Sequence, residues 1–309
     1  MNTVARGCGQ CTLGALALLL GLSPQARSME LEPRAYSNAP VGFNFLVLGY
    51  AYSHGAMSTE PTLPLSNAQL KIATAVLACA RSLDLWGKSG KLDLILPLSR
   101  LAGTATYAGT EIERNASGVG DPRARRSVNL YGAPALSLQD FASYDQDLVV
   151  GASVQVSAPG GQYDADRVVN LASNRWSIKP DIGFSKAFGE ATLDFTGSVT
   201  LYGDNNNYYG GKTLEVAPVY AVQSNLSYSF AKGAWVSLGV TYYTGGESTV
   251  DGVDKDNQLD NSRIGLVLAQ PLDRNNSIKL NLSKGVSTRV GTDFTTVGIA
   301  WQYRWMDGY

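Results

Sequence analysis

The C-terminal segment 295–305 alternates between two kinds of side chain. Every second residue is mostly apolar and then aromatic, ending on Trp301, Tyr303 and Trp305, whereas the residues between them are small or polar. Successive side chains of a strand point to opposite faces, so the segment predicts a strand with one apolar face. An apolar face that ends in aromatic rings is typical of a strand in contact with lipid, where the rings lie at the membrane interface.

Similar strand-like segments recur at regular spacing along the chain. We predict twelve strands, at about 41–54, 68–84, 89–108, 121–132, 147–158, 175–187, 190–202, 215–230, 233–244, 261–270, 276–284 and 294–305. Alternation by itself also fits a soluble sandwich, which buries one face of each sheet. The number of strands, the aromatic end and an export signal together favour an all-β fold, a closed antiparallel transmembrane β-barrel.

The connections between these strands alternate in length. Short ones are predicted at 85–88, 187–189, 231–232 and 271–275, and long polar ones at 55–67, 109–120, 159–174, 203–214, 245–260 and 285–293. Outer-membrane barrels have short periplasmic turns and long extracellular loops, so both chain ends are expected in the periplasm. Segment 133–146 is long where a short turn is due, and predicts either a brief amphipathic helix at the periplasmic rim or an ordinary loop. Segment 29–40 has no periodicity and is interpreted as a periplasmic lead-in.

The N-terminus has the features of a secretory signal peptide. Arg6 precedes the apolar run 12–22, and Ala26-Arg27-Ser28 offers a cleavage site, so residues 1–28 are predicted to be removed and 29–309 to form the barrel. The apolar run is too short to span a bilayer as a helix. The closing strand resembles the assembly signal of outer-membrane barrels, with Tyr309 as a candidate signal residue. We therefore expect location in the bacterial outer membrane, and the barrel-assembly machinery, membrane lipid and lipopolysaccharide as partners.

Charge and cysteine content exclude several classes of protein. Without the signal peptide, 23 basic and 26 acidic side chains remain (25 less Arg6 and Arg27), a net charge of −3, unlike a strongly basic nucleic-acid binder. Cys8 and Cys11 leave with the signal, so Cys79 stands alone and no disulfide framework or cysteine metal site is expected. No cofactor is predicted.

The polar faces of the predicted strands carry charges of both signs that should line the lumen. They are Asp121, Arg123, Arg125, Arg175, Lys179, Asp181, Asp194, Glu215, Arg263, Lys279 and Arg304. Charges inside a low-dielectric wall should pair or contact water, because an unpaired buried charge is costly. Two interpretations remain open, namely a polar path that selects solutes and a network of ion pairs that fills a narrow barrel.

The densest basic cluster lies in 119–130. Alternation places Arg123 and Arg125 on one face and Arg126 on the other, near a membrane interface or extending towards it. Such a cluster could attract anionic solutes or lipopolysaccharide phosphate, and a structural role near a strand end is favoured.

Two further groups of residues are candidate sites. Asp251, Asp254, Asp256 and Asp260 offer oxygen ligands, but the spacing and the missing glycine do not match a calcium loop, so a solvated loop is favoured over a metal site. His54 is the one histidine of the chain and is preceded by Ser53. Adjacent strand residues face opposite sides and cannot form a nucleophile–base pair, and no G-x-S-x-G stretch occurs, so no catalytic residue is predicted.

Several sequence blocks carry a family resemblance over essentially the whole mature chain. They are 31–40 (LEPRAYSNAP), 120–123 (GDPR), 127–136 (SVNLYGAPAL), 174–177 (NRWS), 243–246 (YTGG) and 300–305 (AWQYRW). In this order they resemble the family described as a putative MetA pathway of phenol degradation. The resemblance implies an outer-membrane barrel that passes small, aromatic compounds, and it brings no catalytic residues.

The function expected from the sequence is facilitated diffusion of a small solute through a charge-lined barrel, or exit of an apolar solute sideways through the wall. Two alternatives stay open. One is a barrel enzyme acting on lipid, since outer-membrane phospholipase also has a twelve-stranded barrel. The other is a closed barrel with a structural or surface-contact role.

Overall fold

The computed structural model describes residues 32–58, 65–107, 110–167 and 169–306. The predicted signal peptide and Tyr309 lie outside these ranges. The elements in chain order are β1 (Phe43–Ser58), β2 (Leu65–Leu85), β3 (Lys88–Tyr107), β4 (Thr110–Val119), β5 (Arg123–Tyr131), α1 (Leu138–Phe141), β6 (Leu148–Ser157), β7 (Ser177–Phe188), β8 (Ala191–Tyr202), β9 (Asn205–Tyr208), β10 (Lys212–Val216), β11 (Val219–Ala231), β12 (Ala234–Gly245), β13 (Ser248–Val250), β14 (Val253–Asp254), β15 (Leu259–Pro271), β16 (Asn276–Thr288), β17 (Gly291–Thr292) and β18 (Thr295–Met306).

The main sheet closes on itself because β1 pairs with both β2 and β18. Every pairing in this wall is antiparallel. In the described residues the wall has twelve strands, formed by β1, β2, β3, the two-part strand β4/β5, β6, β7, β8, β11, β12, β15, β16 and β18. The predicted twelve-stranded barrel is therefore confirmed.

The burial pattern of the wall is the reverse of that in a soluble protein. Outward residues such as Leu48, Tyr50 and Leu94 are about half exposed, whereas inward serines, asparagines and charged residues are buried. In a closed barrel all backbone groups of the wall are paired between strands, and large apolar side chains can face lipid. None of the helices in the described ranges is long and apolar enough to cross a membrane.

The segment 109–120 was predicted to be a loop, and this prediction is wrong. Residues 110–119 form β4, which pairs with the extracellular half of β3, from Tyr107↔Thr110 to Leu98↔Val119. Its sequence, TEIERNASGV, lacks an apolar face, so alternation did not identify it. The three residues 120–122 interrupt the wall, and pairing with β3 resumes at Ile95↔Arg123 in β5.

The segment 133–146 contains a brief helix, as one of the two sequence interpretations predicted. Ser137 caps α1 by accepting a hydrogen bond from the amide of Asp140, and Phe141 is buried and stacks on Tyr144. We call residues 133–146 the periplasmic cap, because they follow the periplasmic end of β5.

The long connections 203–214 and 245–260 are not irregular loops throughout. They contribute β9, β10, β13 and β14 to a small four-stranded sheet outside the wall. Glu215 lies in β10 of this sheet and is exposed. The predicted strand 215–230 therefore begins four residues later, at Val219, where pairing with β8 and β12 starts. Within the described residues no group of three or more His, Cys, Asp or Glu is arranged to hold a metal.

Candidate functional site

The inner face of the barrel carries most of the charges that the sequence placed there. Eight of them are buried or nearly so and one, Lys179, is partly exposed: Asp121, Arg123, Arg125, Arg175, Lys179, Asp181, Asp194, Arg263 and Lys279. Two of the eleven lie elsewhere. Glu215 is on the extracellular sheet, and Arg304 is at the periplasmic rim, where its Nε donates to the carbonyl of Arg274 at 2.8 Å.

The interior of the barrel is occupied by the chain's own N-terminal segment. Residues 32–42, which we call the inserted segment, precede β1, and Arg34, Tyr36, Asn38 and Ala39 are 2–6% exposed. The interpretation of this region as a periplasmic lead-in is wrong for the residues that the structure describes. The segment lacks periodicity because it is held by individual side-chain and backbone contacts and by no sheet or helix.

Glu32 forms an ion pair with Arg125 on β5. Arg125 also lies 3.6 Å from Asp181 on β7, and its Nε donates to the hydroxyl of Ser153 at 2.8 Å. Burial by itself would raise the pKa of Glu32, but the charges of Arg125 and Lys179 and the hydrogen bond from Arg125 outweigh it and hold this pKa below 4.5. The contact therefore requires the ionised carboxylate.

Tyr36 fills a recess in the wall. Its hydroxyl donates to the carboxylate of Asp181. Burial, and to a smaller extent the charge of Asp181, raises the pKa of this tyrosine. Gly151 and Gly183 are paired across β6 and β7. A Cβ on Gly151 would lie 2.1 Å from the ring atom Cδ1 of Tyr36, and one on Gly183 would lie 2.9 Å from Cε2. Both glycines are required for this close approach of the ring.

Arg34 is held at three points. Its amide donates to Asp194 at 3.0 Å, its Nη1 donates to Ser229 at 3.3 Å, and its guanidinium lies 5.7 Å from the ring centre of Trp235. The ammonium of Lys279 also lies 5.7 Å from that ring centre. Trp235 is 1% exposed, so the guanidinium of Arg34 and the ammonium of Lys279 both lie near one buried indole ring.

The periplasmic cap fixes the end of the inserted segment. The amide of Val41 donates to the carbonyl of Leu136 at 2.9 Å, and Asn38 Nδ2 donates to the carbonyl of Pro134 at 3.1 Å. Lys91 on β3 adds a hydrogen bond from Nζ to the carbonyl of Ala35 at 2.8 Å. The wall and the cap together therefore hold the segment in the lumen.

The extracellular half of the interior is filled by the connection 158–176. The carboxylate of Asp121 accepts hydrogen bonds from the amide of Ser173 at 2.9 Å, from its hydroxyl at 2.6 Å and from the amide of Gly161 at 3.2 Å. Arg175 lies over the ring of Tyr202 at 4.5 Å. Apolar residues of this connection pack on an inward apolar cluster formed by Leu70, Ile72, Leu101 and Phe294, with Val169 and Leu171 against it.

A small cavity remains beside Glu32. Its volume is about 20 Å³, and it is lined by Arg125, Lys179, Asp181, Gln223 and Thr241 among others. A cavity of this size holds about one water molecule. An aromatic molecule does not fit it, so passage of such a molecule at this level requires movement of the filling segments.

The comparisons with known proteins identify the family. Residues 66–303 match the family described as "Putative MetA-pathway of phenol degradation". The chain belongs to this family. The fold resembles that of the COG4313 outer membrane channel from Pseudomonas putida F1, at a TM-score of 0.75 and 20% identity, over 89% of this chain and 100% of that one. It also resembles the transport unit of the autotransporter AIDA-I from Escherichia coli, at 0.52 and 7%, over 87% and 92%. The search of curated proteins gives no match.

Family and fold together place the protein in the bacterial outer membrane, as a closed β-barrel. Ser53 and His54 lie on opposite faces of β1, as alternation requires. The hydroxyl of Ser53 is buried, 2.8 Å from that of Thr296, whereas His54 is exposed on the outer wall beside Tyr52.

Several residues of the site were missed by the sequence analysis. Lys91 and Asp93 alternate with Leu92 and Leu94, so the polar-face rule would have found them. Trp235 falls on the polar face of β12, and a large aromatic residue there is itself a signal of packing inside the lumen. Glu32, Arg34 and Tyr36 carried no such signal, apart from their place in the first block of the family resemblance.

Proposed function

We propose that this protein is an outer-membrane channel for small aromatic solutes, and that it opens when the inserted segment leaves the lumen. The observation that carries the proposal is the occupied lumen, a closed barrel around a segment held by reversible polar contacts. A purely structural barrel needs no segment in its lumen that is held by the Glu32–Arg125 ion pair, the buried Tyr36 and the backbone hydrogen bond of Val41. Family membership supports the aromatic class of solute.

The interior offers an aromatic solute a specific surface. Trp235 is contacted by the guanidinium of Arg34, which belongs to the inserted segment, and by Lys279, which belongs to the wall. When the segment leaves, one cation leaves with it and the indole gains room for a neutral ring. Stacked aromatic pairs contribute about 0.5–1.5 kcal/mol beyond area burial, enough for a weak transit site but not for tight retention.

The charges of the lumen serve both interpretations that the sequence left open. Arg125, Asp181 and Asp194 are ion-pair or hydrogen-bond partners of the inserted segment, so in the occupied state they fill and stabilise the barrel. Once the segment has left, the same side chains line a water-filled path. The closed network and the open path are therefore two states of one set of residues.

The test is solute flux into proteoliposomes containing the mature protein. We expect phenol to enter faster than cyclohexanol, a ring of similar size without a π face, and we expect Arg125→Gln to increase both rates. Equal rates for phenol and cyclohexanol would overturn the proposal that the solute is aromatic. If neither the wild type nor Arg125→Gln passes the solutes faster than protein-free liposomes do, the protein is not a channel.

A lipid-acting enzyme is the less supported alternative. His54 faces the lipid side of β1, but the adjacent serine is on the inner face and bonded to Thr296. Phospholipid hydrolysis by the folded protein that disappears in His54→Ala would favour this alternative. Hydrolysis that is absent, or equal in both proteins, would end it.

A further inference from the structure

Two basic side chains stand next to each other on the outer wall. Lys71 on β2 pairs with Ala102, and Arg100 on β3 pairs with Ala73, so the two residues are diagonal neighbours on one face. Both are exposed. Among the residues that the structure describes, none forms an ion pair with either of them.

Their height on the wall corresponds to the extracellular border of the apolar band. The outward residues of β3 are Leu92, Leu94, Leu96 and Leu98, all at least 36% exposed, and Arg100 follows them. From Leu92 to Arg100 is about 26 Å along a strand, or about 20 Å in height at the usual tilt, and the apolar band of such barrels is about 25 Å tall. A long arginine side chain at this border reaches the phosphates of the outer leaflet.

A cavity adjoins Arg100. Its volume is about 520 Å³, within the usual range for ligand sites. It lies between β3, β4 and the connection 158–176, and its lining includes Arg100, Asn115 and Ser117 from the wall and Gln162 and Asn170 from the connection. In the described part of the chain β4 pairs only with β3, so its second edge borders this cavity.

The lining is suited to a phosphorylated sugar. Arg100 supplies charge, and Asn115, Ser117 and Gln162 supply amides and a hydroxyl for sugar hydroxyls. The second arginine of the cavity, Arg114, is 3.7 Å from Asp164 and donates to the carbonyl of Val169, so it is already engaged. An apolar solute would leave these polar groups without partners, at a cost in free energy.

We propose that the outer-wall basic patch, formed by Lys71, Arg100, Asn115 and Ser117, binds lipid A of the outer leaflet. One phosphate contacts Lys71 and Arg100, the glucosamine unit enters the cavity, and the acyl chains lie on the outward apolar residues below, such as Leu98. The acidic residues Glu111 and Glu113 share the outward face of β4 with Asn115 and Ser117, but they are further towards its extracellular end, beside Thr106 and Thr104, and so lie above the proposed phosphate. This proposal is independent of what passes through the lumen.

The wall offers a matched control at its other border. Arg81 on β2 and Arg126 on β5 are both paired with Leu92, one on each side, and both are exposed on the outer face. They have the same charges as Lys71 and Arg100 but lie at the periplasmic end of the apolar band, where lipid A is absent. Replacing this pair changes the net charge equally without touching the outer-wall basic patch.

The experiment is a titration of the detergent-solubilised mature protein with diphosphorylated lipid A, followed by native mass spectrometry. We expect one tightly bound lipid A, an apparent Kd at least about tenfold weaker in Lys71→Gln/Arg100→Gln, and a Kd within about twofold of the wild type in Arg81→Gln/Arg126→Gln. Folding is checked by heat-dependent gel mobility. If the double variant does not fold, Arg100→Gln alone is used, with an expected loss of about fivefold.

Two further arms identify the source of the phosphate. Dephosphorylated lipid A should bind the wild type about tenfold more weakly, and inorganic phosphate at equal phosphate concentration should not displace lipid A. Three results would overturn the proposal: equal affinity in the Lys71/Arg100 variant, an equal loss in the Arg81/Arg126 variant, or displacement by inorganic phosphate.

Discussion

Glu32 of the inserted segment and Arg125 of β5 form an ion pair in the interior of the barrel. Arg125 faces Asp181 of β7 as well, so one guanidinium joins the segment to β5 and to β7, which lies on the other side of β6. Removal of one partner of a buried pair leaves an uncompensated charge, which makes this contact a sensitive point in the docking of the segment.

Arg125→Gln should release the inserted segment. The loss removes the guanidinium that Glu32 and Asp181 share, and the cost of breaking such a buried pair is about 3–5 kcal/mol. Arg34 is 6% exposed when the segment is docked, so tryptic cleavage after Arg34 in the folded barrel reports its release. We expect cleavage at least about 100-fold faster than in the wild type.

Arg126→Gln is the matched control for this variant, because the neighbouring arginine faces outward and pairs with Leu92. Its cleavage rate should equal that of the wild type. Equal rates in Arg125→Gln and Arg126→Gln would show that the ion pair does not hold the segment.

Acidification should also weaken docking. The pKa of Glu32 is held below its ordinary value of 4.5 in the docked state by Arg125, Lys179 and Lys91, against the effect of burial. For a carboxylate with a lowered pKa, the stabilisation is complete above the ordinary value and is lost as pH falls through the lower, docked value. Open probability in planar bilayers should therefore rise as pH is reduced below 4.5.

Glu32→Gln identifies the group responsible. In this variant the open probability should already be raised at neutral pH and should change less on acidification. A pH response as large as that of the wild type would assign the effect to other carboxylates.

The recess for Tyr36 gives a steric test. Gly151→Ala puts a Cβ 2.1 Å from the Tyr36 ring, so the ring must move and its hydrogen bond to Asp181 weakens. Overpacking of this kind costs about 1–3 kcal/mol, and tryptic cleavage after Arg34 should accelerate accordingly. Gly197→Ala is the control, because nothing lies within 4 Å of the added Cβ. Cleavage that is unchanged in Gly151→Ala would contradict the position of Tyr36.

Asp121 should control the extracellular connection 158–176. Asp121→Asn weakens three hydrogen bonds from Gly161 and Ser173 by removing the charge of their acceptor. Hydrogen bonds to charged groups contribute about 1.5–3 kcal/mol, so hydrogen exchange of these amides should accelerate by about tenfold or more. Asp166→Asn, an exposed residue of the same connection, should leave exchange unchanged. Equal protection in Asp121→Asn would show that the carboxylate does not fix the connection.

The sequence predicted the wall well because a strand has a local signal. Alternation over a dozen residues is sufficient to identify β8 or β18, and the same rule places Asp194 on the inner face. The rule failed at β4, where the wall extends above the apolar band and both faces are polar. It also failed at Glu215, where a polar residue before a strand was assigned to the strand.

The contents of the lumen could not be predicted in the same way. The amide of Arg34 bonds to Asp194 across 160 residues, and Tyr36 reaches Asp181 across 145. Such contacts depend on how the closed barrel brings distant strands around the segment, and no local pattern encodes them. The charges of the lumen were predictable individually, but the segment that pairs with them was not.

The most direct test of the central claim is phenol flux through proteoliposomes with the inserted segment reversibly tethered. Asn38→Cys and Pro134→Cys, in a Cys79→Ser background, replace residues whose side chain and carbonyl are 3.1 Å apart, and a short cleavable bis-maleimide joins them. We predict that the tethered protein passes phenol no faster than protein-free liposomes and that cleavage of the linker restores the untethered rate. Equal phenol flux before and after cleavage would contradict the account, because the solute would then pass with the segment in place.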